Sequence, residues 1–305
     1  AVPIELYRGE KHMDVELFMY YQGQYISYKG KGQNWTDVDT QKLTEFGVTE
    51  LFVKFNSKAA HREYLEVNLV KILSRPNASI QKKALVLYEL SDPMLSTIHT
   101  TPGSAEAINS ASGYVRSCIK YLNDRGALPE LVQLSCRNLT EHAHALHVSA
   151  YAIALAKSLG IRAYDEIFAL GLGGILHDIG KSKVANEILN KAEELQNEEW
   201  LAIREHAKLG EEILGTKSIV PALSKRIVLE HHERPNGKGY PNGIKTPHPF
   251  SKMISIADAF NTLTSQKVYA PGMKPYDALK HLVVGVKGGE FDPTYLKAFV
   301  EMLSK

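Results

Sequence analysis

Apolar and polar positions follow two different periods along this chain. Near the start they alternate residue by residue in "VELFMYY" (15–21) and "QYISYKG" (24–30), which predicts two strands joined by a hairpin turn at Gln22-Gly23. "WTDVDTQKLTEFG" (35–47) reads as a short helix capped near Thr36 and closed by Gly47. "TELFVKF" (49–55) returns to a strand, and "HREYLEVNLVKILSRP" (61–76) to a helix that stops before Pro76. The expected first domain is therefore a small α/β unit over residues 1–75.

Beyond Pro76 the strand signals vanish. Apolar residues recur at three-and-four spacing through "SIQKKALVLYELSDPMLSTI" and "AEAINSASGYVRSCIKYLND", broken by Thr101-Pro102-Gly103 and by the "DRGALPE" turn (124–130). Residues 76–130 are expected to form a helical connector and residues 131–305 a helical domain. The fold class expected is mainly α, an all-helical domain preceded by a small α/β one. No internal repeat or sustained heptad is present.

Composition narrows the picture. With 305 residues, 44% hydrophobic and 23% charged, the chain can bury a sizeable core. Lysine plus arginine number 36 against 34 acidic residues, so no broad surface for a DNA or RNA polymer or a membrane is expected, and any anion site must be local. Cys118 and Cys136 are too few for a disulfide framework or thiolate cluster, which points to the reducing cytoplasm. No membrane span or signal peptide is expected, since "AVPIELYRGEKHMD" is polar from residue 5 onward.

The chemistry lies in five helical segments. "EHAHALHVSAYAIALAKSLG" carries His142, His144 and His147 in an otherwise apolar helix, so at least one of them faces inward. "IFALGLGGILHDIGKS" delivers His177 and Asp178 at the end of an apolar run, where a buried carboxylate requires a compensating positive charge. Lys181, four residues after His177, is placed to contact a phosphate. In "EEWLAIREHAKLGEEIL" the residues Trp200, Ile203, His206, Gly210 and Ile213 trace one helical stripe, with Gly210 leaving space for a ligand or another backbone. "RIVLEHH" places His231 and His232 in a last helical turn. Adjacent helical residues diverge by about 100°, so the pair is expected to reach two ions, or one ion and a substrate. Asp258 interrupts the apolar "MISIADAFNTLTS" and also needs a counter-charge.

This ordered series of His, His-Asp, His, His-His and Asp resembles the HD superfamily of metal-dependent phosphohydrolases. "HHERPNGKGYP" is similar to the HHExxDGxGYP signature of its HD-GYP subgroup, bacterial phosphodiesterases of cyclic di-GMP. The resemblance extends to "HDIGK", "HAKLG", "IADAFNTLTS" and "GGEFDP", over roughly residues 135–305. It implies an all-helical HD-type domain holding two divalent ions, iron or manganese before zinc. The implied metal ligands are His144, His177, Asp178, His206, His231, His232 and Asp258, with Asp178 bridging. Family members place a ligand where His144 stands, which selects it over His142, and His147 occupies a position where arginine is customary. Asp178 and Lys181 are the implied catalytic residues. Lys181, Asn236, Gly239, Tyr240, Pro241 and Lys267 are the implied substrate contacts.

Three departures qualify the resemblance. Thr140 stands where some members carry a third-metal glutamate, with Glu141 one position off, so two metals are expected. Asn236 replaces the signature aspartate, and Lys267 replaces an arginine fork with a point charge. The function implied is hydrolysis of cyclic di-GMP to linear pGpG or GMP by a hydroxide held between the ions. The alternatives are a catalytically weak cyclic di-GMP-binding or signalling module, and hydrolysis of another nucleotide. By architecture alone, the amino-terminal domain is expected to sense an input or bind a signalling protein.

Overall fold

Gln22 and Gly23 both adopt positive φ, 48° and 84°, the backbone that a two-residue hairpin matching the strand twist requires. In this computed structural model, which describes residues 2–4, 7, 14–75, 78–137, 141–191, 193–215, 217–265 and 272–304, that turn joins β2 (Leu17–Tyr21) to β3 (Gln24–Lys29). Thr140 and Lys267 lie outside the described residues, as do the side chains of Glu141 and His142. The chain divides into two compact units, Ala1–Leu90 and Ser91–Lys305.

In the first unit β4 (Glu50–Val53) pairs antiparallel with β2, and β1 (Val2–Pro3) with β4, giving a four-stranded sheet ordered β1-β4-β2-β3. Helix α1 (Asp37–Glu45) starts where the sequence places its cap. Thr36 Oγ1 accepts the Asp39 amide, and the Asp39 carboxylate accepts the Thr36 amide in return. Leu17, Leu51 and Trp35 are wholly buried, as are Leu65 and Ile72 of α2 (Lys58–Leu73). The Tyr7 ring lies 5.2 Å from that of Trp35, and its hydroxyl bonds His61 Nε2 at 3.0 Å.

α3 (Ile80–Thr100) crosses the division, and every further element described is helical: α4 (Ala105–Tyr121), α5 (Ala127–Arg137), α6 (Glu141–Ser158) and α7 (Tyr164–Leu176) come first. After a 3-10 turn at Ile179–Lys183 follow α8 (Asn186–Leu189), α9 (Asn197–Arg204), α10 (His206–Gly215) and α11 (Ala222–Glu230). α12 (Pro249–Thr264), α13 (Pro275–Lys287) and α14 (Pro293–Leu303) complete the unit. The fold is thus mainly α, an all-helical domain with a small α/β part before it.

From Ile167 onward α7 is apolar on all sides, which marks a helix surrounded by others. Its glycines admit those neighbours. A Cβ on Gly171 would stand 2.8 Å from Val115 and Ile153, one on Gly173 2.9 Å from Ile227, and one on Gly174 2.8 Å from the Ser149 backbone. Helices α4, α6 and α11 therefore close on α7 from different sides and fix its C-terminal end, where His177 emerges. On the other side of α6, Tyr151 meets the edges of Phe260 in α12 and Phe299 in α14, at 5.5 and 6.0 Å. Among the described residues, no helix is long and apolar enough to cross a membrane.

Candidate metal centre

Three imidazoles of the second unit are held in one way, each by the carbonyl three residues before it. His177 Nδ1 lies 2.8 Å from Gly174 O, His206 Nδ1 2.7 Å from Ile203 O, and His231 Nδ1 2.8 Å from Val228 O. A carbonyl only accepts, so each Nδ1 carries a proton, and in its neutral form each ring turns its Nε2 lone pair away from the backbone. His144 is oriented from another helix, with Nδ1 2.7 Å from Asn261 Oδ1.

Those lone pairs converge. His206 Nε2 and His231 Nε2 lie 3.1 Å apart, and burial lowers both pKa values, so two unprotonated nitrogens face each other. They cannot bond each other without a proton or cation between them. His177 Nε2 and Asp178 Oδ1 are buried without a hydrogen-bond partner. The ligand-capable atoms of Asp178, His206, His231 and His232 all lie within 4.8 Å of one another, as do those of His144, His177 and Asp178. Asp178 is common to both groups. Asp258 Oδ1 adjoins the second group, 3.2 Å from His144 Nε2.

The charges agree with this geometry. Burial alone would raise the carboxyl pKa of Asp178, but His177 and Lys181 outweigh it and hold the group well below its ordinary range. Asp258 is likewise buried, and the hydrogen bond and charge of His144 keep it ionised. Burial would lower His177, yet the two carboxylates raise its pKa instead, drawing positive charge into the site. Burial pushes His232 down to about 3, leaving it neutral. Neutral imidazoles and carboxylates without sulfur, with unsatisfied lone pairs directed inward, are a donor set that fits divalent cations of the iron, manganese or zinc kind.

Two backbone breaks make the convergence possible. "EEWLAIREHAKLG" is not one continuous stripe but α9 and α10 with Glu205 between them, so Trp200 is half exposed while His206 is 1% exposed. The carbonyl of His206 packs on the turn after Asp178, where a Cβ on Gly180 would lie 1.9 Å from it and 2.6 Å from Gly210 N. The space left by Gly210 is taken first by the Val228 side chain, 2.7 Å from where a Cβ would stand, with Ile179 Cγ2 at 3.3 Å and the Gly180 amide at 3.4 Å. α11 ends at Glu230, so the adjacent histidines sit in a turn beyond the helix. Their ring centroids are 4.1 Å apart, and both fall in one group instead of diverging by a helical step.

The signature loop folds back on this turn. Tyr240 N donates to His232 O at 3.2 Å, and the Tyr240 ring stacks on His232 at 4.5 Å. Gly239 lies so close that a Cβ there would meet Arg234 N at 2.4 Å. Asn236 gives its side-chain amide to Gly288 O and accepts from Lys238 N, both at 2.9 Å. A cavity of about 340 Å³ opens onto His144, Asp178, His232 and Asp258, with Lys181, Arg234 and Glu290 on its walls. Asn236, Gly239, Tyr240 and Pro241 are not among the described residues lining it. Lys181 Nζ lies 2.6 Å from Asp178 Oδ2.

Sequence reasoning missed several supporting residues. Glu233, 2% exposed, accepts the amides of Asn242 (2.7 Å) and Ile244 (3.0 Å) and clamps the loop. Glu230 does the same for His248 N and Ser251 Oγ at the start of α12. Asn261 stands one helical turn from Asp258 on the same face, a spacing that could have revealed it. Arg234, which packs over Phe291 and bonds Ser255, and Arg204, over the Tyr240 ring, carried no comparable signal.

Residues 122–295 match the HD domain family. A cyclic di-GMP phosphodiesterase of Pseudomonas aeruginosa, PA4108, is 31% identical over 221 residues, which span 72% of this chain and 51% of that protein. A 3'3'-cGAMP-specific phosphodiesterase of Vibrio cholerae, phosphodiesterase 3, is 36% identical over 132 residues, 43% of this chain and 28% of the relative. The chain thus spans about half of one of these curated relatives and about a quarter of the other. A solved structure, Bd1817, a HDG"Y"P protein from Bdellovibrio bacteriovorus, aligns over 100% of this chain and 99% of that one with a TM-score of 0.69 at 19% identity, and shares the fold. With the family match covering more than half its length and the HHE…GYP loop at its His and Asp cluster, the chain belongs to the HD domain family, in its HD-GYP branch.

Proposed function

We propose that this chain is a cytoplasmic, metal-dependent phosphodiesterase that hydrolyses cyclic di-GMP to linear pGpG, to GMP, or to both. The observation that carries the reading is the set of imidazoles whose protons are committed to their own backbone carbonyls, so that their lone pairs converge around Asp178. His144, His177, Asp178, His206, His231, His232 and Asp258 would hold two divalent ions, with Asp178 shared between them. When bound, such ions make hydroxide available near neutral pH and stabilise charge on the phosphoryl oxygens during in-line displacement.

The chain's own residues set up that chemistry. The ionised Asp178 and Asp258 contribute −2, so two divalent ions leave the site about +2 and attractive to a phosphodiester. Lys181 adds positive charge at the cavity wall and is placed to hold a phosphate oxygen or assist the leaving one. The Tyr240 stack on His232 and the Glu233 clamp hold the loop from Asn236 to Pro241 against the histidine turn, which supports a role for it in bracing the site. The substrate class is supported by the relatives that carry it in their names. The amino-terminal unit is assigned to sensing or to binding a signalling partner.

The test is product analysis. Anaerobically purified chain loaded with Fe²⁺ or Mn²⁺ is incubated with cyclic di-GMP, and the nucleotides are resolved by chromatography. Appearance of pGpG supports the proposal. Hydrolysis of 3'3'-cGAMP in preference to cyclic di-GMP would select a second reading, favoured by the 36% identical relative, in which the mixed dinucleotide is the substrate.

A further inference from the structure

The cavity over the metal centre has one feature that phosphate chemistry does not explain. Glu290 lines it together with residues of the His and Asp cluster, and among the described residues its carboxylate makes no hydrogen bond or ion pair. Its charge interacts with that of Arg234, which lines the same cavity, but a carboxylate has only acceptor oxygens and offers a phosphate no hydrogen bond. It suits a neutral part of the substrate rich in donors.

Its position is also built. Glu290 N donates to Gly285 O of α13 at 2.9 Å, and Phe291 behind it is 8% exposed. The preceding residues are tied to the signature loop, with Asn236 N donating to Gly289 O and Asn236 Nδ2 to Gly288 O, both at 2.9 Å. Gly289 takes φ of 70°, and a Cβ there would meet Asn236 Cβ at 3.1 Å, so glycine is needed for both the turn and the contact. The loop that follows the paired histidines therefore also fixes the backbone that presents Glu290. Asn236, where the family carries aspartate, supplies this link through an amide donor that a carboxylate lacks.

We propose that Glu290 is the base-reading residue of this site, accepting the N1–H and N2–H groups of a guanine from the substrate, with Phe291 beside it as an apolar floor. A carboxylate matches those two adjacent donors in bidentate fashion. Adenine presents an acceptor nitrogen where guanine has N1–H, and would be disfavoured by repulsion. The inference rests on the phosphodiesterase reading above and deepens it by naming the base and the residue that selects it.

The test compares cyclic di-GMP with cyclic di-IMP, which lacks the N2 amino groups, in the metal-loaded full chain. Glu290 is exposed, so Glu290→Ala is expected to fold. Wild type should favour cyclic di-GMP by about tenfold in kcat/KM, the scale of one charge-assisted hydrogen bond. In Glu290→Ala that preference should fall to within about twofold, mainly through KM for cyclic di-GMP, with kcat largely kept. An unchanged preference in the variant, or none in wild type, would overturn the base-reading role while leaving the phosphodiesterase reading intact. Wild type that hydrolyses neither dinucleotide would overturn that underlying reading, and the subsite with it.

Discussion

Gly180→Ala adds one methyl group and changes no side chain of the cluster itself, and it should disable the centre. The added Cβ would stand 1.9 Å from His206 O and 2.6 Å from Gly210 N, both backbone atoms that no rotamer change can move. To bring the first contact to 3.0 Å, the 3-10 turn and α10 must separate by about 1.1 Å. Asp178 lies two residues before Gly180, and His206 is itself the residue struck, so the separation divides a group whose atoms lie within 4.8 Å. Overpacking of this kind costs roughly 1–3 kcal/mol of stability. A misplacement of about 1 Å at a catalytic centre costs on the order of a hundredfold in rate. Urea denaturation of the variant measures the first effect and turnover of the metal-loaded variant the second, while a manganese titration followed by isothermal calorimetry reports the displaced ligands directly. A variant with wild-type denaturation midpoint and wild-type metal affinity would refute the close backbone contact and the positional role assigned to it.

Other expectations follow from other parts of the molecule. Glu233→Gln replaces a charged acceptor of two backbone amides, so the fold should lose about 1–3 kcal/mol, and hydrogen exchange at Asn242 and Ile244 should speed up selectively. Chelation should lower the melting temperature of metal-loaded protein, by an amount equivalent to about 2.7 kcal/mol if the ion had been present at 100 times its Kd; no change on chelation would mean that no ion stabilises the fold. His61 is 2% exposed, and burial pushes its pKa down to about 4, so the unfolded chain binds a proton near pH 6.5 that the folded one refuses until about pH 4. Its contribution to stability is present above pH 6.5 and lost as pH falls toward 4, a difference of about 3 kcal/mol. Denaturation followed by Trp35 fluorescence in a Trp200→Phe background should show this loss, and His61→Gln should reduce it.

How much of this was legible in sequence depended on whether the cause was local. The Gln22-Gly23 hairpin and the Thr36 cap were legible because neighbouring residues alone specify them. The inward placement of His177 and Asp178 followed from the apolar run before them, which can only be a surrounded helix. The break at Glu205 and the end of α11 at Glu230 were not legible. Nothing in their own residues stops a helix there, and the packing of His206 O against Gly180, remote in sequence, accompanies the first break. For the same reason His231 and His232 were expected to diverge, whereas a turn brings both toward Asp178. Glu233 and Asn261 stood in quoted motifs, but their roles depend on amides and rings brought near by the fold.

The most direct test of the metal-centre proposal is metal stoichiometry measured beside turnover. Anaerobically prepared chain, reconstituted with Fe²⁺ or Mn²⁺ and desalted, would be analysed by plasma mass spectrometry and assayed on cyclic di-GMP together with Asp178→Asn. About two ions per chain, with both occupancy and turnover collapsing in the variant, is the expected result for a centre in which Asp178 serves both groups. Undiminished turnover in metal-free protein, or in Asp178→Asn, would contradict it.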